Sequence, residues 1–325
     1  MATKPLVIAL EEHFLDAEIK AKFAPNDAAP GRGPGMAERL GDLGALRLKE
    51  MDEAGVDIQV ISHGAPSVQK MDAESAVTLA RQANDRVAAA CAASNKRLHA
   101  FAVCPTPNPK AAADELERTV TKYGFKGTMI HGLTNGVFHD DQRFWPLYER
   151  AQALDVPIYI HPAYPQAAVV ETYYKDYLGK YPNFATAGWG FGVETATQGI
   201  RFVLSGVFDK YPKLQIILGH MGEGLPFYLW RISNALSRHG NAGQGAAKSF
   251  RDIFCEHFYV TTSGFFSDAA LQCCITELGI DRVMFSIDYP FVPNPPGMSW
   301  IEPLQMNAAD KDKILNGNAK RLLKI

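Results

Sequence analysis

Pro157-Ile158-Tyr159-Ile160-His161-Pro162 is a short apolar, β-branched run that stops at a histidine and a proline, and it follows a stretch of helical periodicity, Arg143–Leu154. The same alternation spreads outward from it in both directions. Candidate strands lie at Leu6–Leu10, Asp57–Ser62, His99–Cys104, Lys126–Ile130, Pro157–Ile160, Leu214–Leu218, Phe258–Thr262 and Arg282–Ser286. Helical stretches fall between them at Ala73–Ala93, Pro109–Tyr123, Arg143–Leu154, Val193–Phe208, Leu225–Ser237 and Asp268–Leu278, with a last one near Asp310–Leu323. Strands that alternate with helices imply a parallel sheet, and eight such units close most commonly into a (β/α)8 barrel. The length of 325 residues also fits two domains, but the unbroken alternation predicts one α/β TIM-type barrel domain over residues 1–325.

Two insertions interrupt the repeat, near 15–42 and 164–192. The first holds the Pro-, Gly- and Ala-rich stretch Pro25–Pro34, which reads as a loop over the barrel mouth, and it leads into a helical Leu43–Ala54 closed by Gly55. The second carries Tyr173, Tyr174, Tyr177, Tyr181, Phe184, Trp189 and Phe191, a density of aromatics that suits either a substrate lid or a subunit contact. A small linker is expected at Asn241–Ala247. Lys and Arg number 33 against 35 Asp and Glu, a net charge of −2 with no basic footprint for nucleic acid or an anionic membrane. No signal-peptide pattern and no long apolar span appear. Five cysteines without a C-x-x-C pair point to free thiols and a cytoplasmic setting.

Barrel chemistry is done at the carboxyl ends of the strands, so the residues there decide the function. Strand one ends in Glu11-Glu12-His13, strand five in His161-Pro162, strand six in His220-Met221-Gly222-Glu223 and strand eight in Asp288-Tyr289-Pro290. Residues two apart on an extended strand share a side, so Glu11 and His13 both face the mouth while Glu12 turns away. Oxygen and imidazole ligands from several strands suit Zn²⁺ or Mn²⁺ with an open coordination position. His63, His99, His131, His139, His239 and His257 read as ordinary core or surface groups, although His63 and His131 lie close enough to strand ends to reach the mouth.

The runs Ala9–Phe14, Tyr159–Pro162, Phe191–Thr195, Gly206–Pro212, Leu218–Glu223, Thr262–Gly264 and Ser286–Phe291 together resemble the decarboxylase branch of the amidohydrolase superfamily, whose members include γ-resorcylate, 2,3-dihydroxybenzoate and salicylate decarboxylases. The resemblance implies a reversible, non-oxidative loss of CO₂ from an ortho-hydroxylated benzoic acid. It implies Glu11, His13, His161 and Asp288 as ligands of one divalent ion (Zn²⁺, Mn²⁺ or Mg²⁺), and no organic cofactor. It makes Asp288 the acid that protonates the ring, with His220 and Glu223 orienting it or relaying charge. Arg231 and Arg47 are candidate anchors for the substrate carboxylate, because a guanidinium fork matches a carboxylate in two contacts. Trp189, Phe191 and Phe291 are candidate walls of a ring pocket. A metal-dependent hydrolase or hydratase on the same barrel is the alternative, and a non-catalytic metal-binding scaffold ranks below it. The expected partners are a small aromatic acid and further copies of the chain, as a dimer or tetramer; nucleic acid and membrane are not expected.

Overall fold

The structure, a computed structural model, describes residues 5–24, 34–238 and 248–325. Its strands are β1 (Ile8–Phe14), β2 (Ile58–His63), β3 (Leu98–Ala100), β4 (Ala102–Val103), β5 (Thr128–His131), β6 (Ile158–His161), β7 (Ile216–Leu218), β8 (Phe258–Thr261) and β9 (Val283–Met284). All neighbouring pairs are parallel, in the orders β1-β2-β3 and β4-β5-β6-β7-β8-β9. These are two arcs of one ring. Only Phe101 separates β3 from β4: its N–H donates to Ile61 O (2.9 Å), and the next N–H, of Ala102, donates to Gly127 O (2.8 Å). The opposite seam is joined by a parallel bridge between Leu10 and Ser286. Counting β3 and β4 as one broken strand, the eight expected strands are all present.

Alternation along the strands sorts side chains into two cores. Ile8, Leu10, Val60, Phe101, Met129, Tyr159, Ile217, Tyr259 and Met284 fill the barrel interior. Their neighbours Ala9, Ile61, Ala102, Ile130, Ile158, Ile216, Val260 and Val283 face outward into the layer shared with the helices. Ala319 and Leu323 of the C-terminal helix Asn318–Leu323 join the interior group and close the barrel at the end opposite the mouth.

Helices Ala73–Ala93, Pro109–Tyr123 and Asp268–Leu278 have the expected bounds. The stretch expected as Val193–Phe208 instead starts at Gly190, ends at Leu204 and resumes as a short turn, Val207–Lys210. Among the described residues, the additional helices include Ala17–Lys20 and Met36–Gly41 in the first insertion, Phe250–His257, opened by a Ser249/Asp252 capping box, and Asn294–Ile301. The aromatic insertion is a chain of short helical turns, from Ala167–Val169 to Pro182–Ala185. Most of the Pro25–Pro34 stretch, and all of Asn241–Ala247, lie outside the described residues. Among the described residues no helix is long and apolar enough to cross a membrane.

Candidate active site

Ile8 and Leu10 point into the barrel, so strict alternation would send Glu12 inward after them and turn Glu11 and His13 out. A β-bulge prevents this. The pairing of β1 with β2 slips between Leu10 and Glu12, leaving Glu11 as the extra residue at φ 61°. The bulge resets the phase, and Glu11 and His13 both enter the mouth. A left-handed backbone at a non-glycine residue costs about 1–2 kcal/mol, and such outliers persist where surrounding contacts fix them.

Glu11, His13, His161 and Asp288 bring one ligand atom each to within 4.8 Å of one another. Three of these atoms, Glu11 Oε1, His13 Nε2 and Asp288 Oδ1, are buried without a hydrogen-bond partner. The opposite atoms of Glu11, His13 and His161 are engaged. Glu11 Oε2 accepts from the hydroxyls of Tyr159 and Ser263. His13 Nδ1 pairs with Ser62 Oγ at 3.1 Å. His161 Nδ1 donates to Pro162 O at 2.7 Å and lies 3.0 Å from His131 Nδ1, which turns Nε2 toward Glu11 Oε1 at 3.2 Å. Two carboxylates and two imidazoles, each with its lone pair free on the inner side, form a donor set that fits a divalent cation. Gly219 makes the space: a Cβ there would come within 2.5 Å of Glu11 Oε2.

The turn after β7 presents two further polar groups. His220, Met221, Gly222, Glu223 and Gly224 all have positive φ, a tight left-handed run in which a Cβ at Gly222 would meet Val260 Cγ1 at 2.8 Å. The run folds His220 back so that Nδ1 donates to Glu223 Oε1 at 2.8 Å while Nε2 faces Glu11 Oε1 (3.5 Å) and Asp288 Oδ2 (3.9 Å). Burial pushes the His220 imidazole down, but the carboxylates of Glu223 and Glu11 outweigh it and hold the group well above its ordinary value. Burial likewise pushes Glu11 up, and the neighbouring His220, His161 and His13 pull it far below the usual carboxylate range. Tyr159 is driven well above its ordinary value by burial and by the Glu11 charge, so its hydroxyl stays a donor.

The remaining expected residues fall in different places. Phe291 lies beside the cluster, its ring centroid 5.6 Å from that of His13. Phe191 is half-buried in the first turn of the helix Gly190–Leu204. Trp189 just before it is 55% exposed, with no ring contact to the cluster among the described residues. Arg231 is exposed on the helix Leu225–Arg238, its side chain with no hydrogen bond or ion pair among the described residues. Arg47 calls for a correction. Its guanidinium is fully buried behind β1, donating to Asp42 O (3.1 Å), Gln59 Oε1 (3.0 Å) and His13 O (2.5 Å) and stacked on Tyr289. With its fork spent on the protein, Arg47 is a support of the ligand strand and not a substrate anchor.

The sequence reading missed three of the groups that orient the cluster, Tyr159, Ser263 and Ser62. His131, which the sequence reading places near enough to a strand end to reach the mouth, ends β5 in register with His161 on β6 and supports it there.

A parallel eight-stranded barrel with a carboxylate–imidazole cluster at its mouth defines the class, that of the amidohydrolase-type barrels. The chain belongs to the amidohydrolase family, whose family model matches residues 12–325. A γ-resorcylate decarboxylase of Polaromonas sp. strain JS666 is 39% identical over 334 residues, covering 98% of this chain and 98% of its own. The crystal structure of a 2,6-dihydroxybenzoate decarboxylase complexed with 2,6-dihydroxybenzoate has a TM-score of 0.87 and 37% identity, covering 99% of this chain and 100% of that one. The structure of a dihydroxybenzoic acid decarboxylase from Polaromonas sp. JS666, with bound manganese and the inhibitor 2-nitroresorcinol, has a TM-score of 0.87 and 38% identity, covering 99% and 97%.

Proposed function

We propose that this chain is a metal-dependent carboxy-lyase that removes CO₂ from an ortho-hydroxylated benzoic acid without oxidation. The observation that carries this reading is Asp288, whose two oxygens face different ways. Oδ1 belongs to the ligand cluster, 3.3 Å from His13 Nε2, and Oδ2 faces the His220–Glu223 pair. The similarity to dihydroxybenzoate decarboxylases over nearly the whole chain supports the same reaction class.

Glu11, His13, His161 and Asp288 would hold the ion, Mn²⁺ or Zn²⁺ suiting the mixed O/N set better than Mg²⁺. When bound, the ion supplies a positive charge that draws a carboxylate and its neighbouring phenolate oxygen to one place. The protein then has to deliver a proton to the ring carbon that bears the carboxylate. Asp288 Oδ2 is the group placed to do so, and His220 Nε2 is placed to resupply it, with Glu223 fixing the imidazole from its other nitrogen. As the new C–H bond forms, the ionised hydroxyl feeds electrons into the ring. The C–C bond then breaks, its electron pair restores aromaticity, and CO₂ leaves.

We assign a homo-oligomeric state, dimer or tetramer, from two apolar faces that the single chain leaves in water: Tyr173, Tyr177 and Tyr181 in the insertion, and Phe227, Tyr228 and Trp230 on the helix Leu225–Arg238. Five unpaired cysteines suit a reducing, cytoplasmic setting. The reaction is tested by running the manganese-loaded enzyme on 2,6-dihydroxybenzoate in D₂O. The expected product is resorcinol with one deuterium at the carbon that lost CO₂, seen by proton NMR. No product from any ortho-hydroxybenzoate, with turnover of an ester, lactone or amide, would replace this reading with hydrolysis.

A further inference from the structure

Glu12 stands between two ligands in sequence but faces away from the cluster, fully buried. Its Oε1 accepts the N–H of Ile287 at 2.9 Å and its Oε2 accepts the N–H of Tyr289 at 3.1 Å. These N–H groups belong to the two residues that flank Asp288, whose own backbone sits at φ 73°. The main chain adds a bond in the same place, from His13 N to Tyr289 O at 2.5 Å. Arg47, stacked on the Tyr289 ring and bonded to His13 O, backs the arrangement from behind. One side chain of β1 thus grips the chain on both sides of the ligand that arrives after β9.

We propose that Glu12 is a positioning residue: by clamping the peptides on either side of Asp288, it holds that strained residue with Oδ1 toward the ligand cluster and Oδ2 toward His220. Without the clamp, Asp288 is free to relax out of the left-handed region, and one rotation of its backbone moves both oxygens together. The inference rests on the decarboxylase reading only for its rate readout. It does not depend on the charge of Glu12, because a carboxylate oxygen and a carboxylic acid oxygen both accept an N–H, whereas an amide nitrogen cannot.

Glu12→Gln keeps the shape and turns an NH₂ group onto one of the two N–H donors. Glu12→Asp keeps an acceptor pair on an arm too short to span both. Both variants are expected to lower kcat per metal-loaded molecule about 10²-fold, with KM within about threefold, as a misplaced reacting group does. Stripped of metal and titrated with Mn²⁺ against a chelator, both are expected to bind about tenfold more weakly than the parent, the range found when a group supporting a ligand is lost. Wild-type kcat per loaded molecule in either variant, or a loss that only follows the folded fraction seen by circular dichroism, overturns the proposal. If no ortho-hydroxybenzoate reacts even with the parent, the manganese titration still decides: weaker binding supports the clamp and parental affinity overturns it. If neither variant folds, amide hydrogen exchange on the parent protein decides. Slow exchange at Ile287 and Tyr289, matching the strand amides, supports the clamp, and loop-like exchange there refutes it.

Discussion

Glu11 carries two jobs on two oxygens. Oε2 is saturated by Tyr159 and Ser263, and Oε1 is left bare against His161 and His220. A buried carboxylate oxygen with no donor is expensive unless a cation completes it, and the same holds for the bare Asp288 Oδ1 a few ångströms away. The purified protein is therefore expected to hold one divalent ion per chain, and Glu11→Gln to lose it, as read by metal analysis after gel filtration. Two tightly held ions per chain, or none with activity intact, would contradict the four-residue site. His220 is different, because it touches the cluster with one nitrogen and Glu223 with the other. His220→Asn should keep the ion and lower turnover by roughly 10²–10⁴-fold, the usual contribution of a general acid or base. Loss of the ion in that variant would instead make His220 a ligand.

At the scale of elements, β1 and the helix behind it decide which groups reach the mouth. Arg47, from the helix Ala45–Ala54, ties that helix to the His13 carbonyl and to Gln59 of β2. Arg47→Leu strands those buried acceptors and should cost roughly 3 kcal/mol or more, with a fall in melting temperature of about 4 °C or more. An unchanged melting temperature together with a much raised KM would return Arg47 to the role of substrate anchor. This residue also shows where sequence reading stops: a guanidinium looks the same whether it awaits a ligand or is already spent on backbone carbonyls. The strands were legible because their apolar, β-branched runs are short and bounded by turn residues, and the residues of the cluster because they follow those runs. The bulge at Glu11 was not, since alternation read from sequence cannot show a change of phase, and Glu11 and His13 reach the mouth through the bulge and not through plain alternation. The helix Asn294–Ile301 was hidden by its own first turn, because Asn294-Pro295-Pro296-Gly297 reads as a loop although proline suits the start of a helix. Tyr159 read as one more apolar strand residue, and only the closed barrel brings its hydroxyl to Glu11.

At the scale of the whole molecule, the exposed aromatics are the unfinished feature of the single chain. Phe227 is 76% exposed and Trp230 68%, on a helix whose other face packs into the barrel layer. Burying rings of that size against a second copy is worth roughly 1.5–3 kcal/mol each. Light scattering is expected to give a dimer or tetramer mass, and Phe227→Asp with Trp230→Asp to bring it toward the 35.7 kDa of one chain. A wild-type mass of one chain would remove the oligomer. The central claim is that the mouth of this barrel decarboxylates an acid whose hydroxyl is ortho to its carboxylate. It is tested most directly by measuring CO₂ release from 2,6-dihydroxybenzoate and from 4-hydroxybenzoate with the same manganese-loaded preparation. The expected result is turnover of the first and none of the second, because only an ortho hydroxyl puts both oxygens beside one ligand cluster. Equal turnover of the two acids, or no CO₂ from either, would contradict the claim.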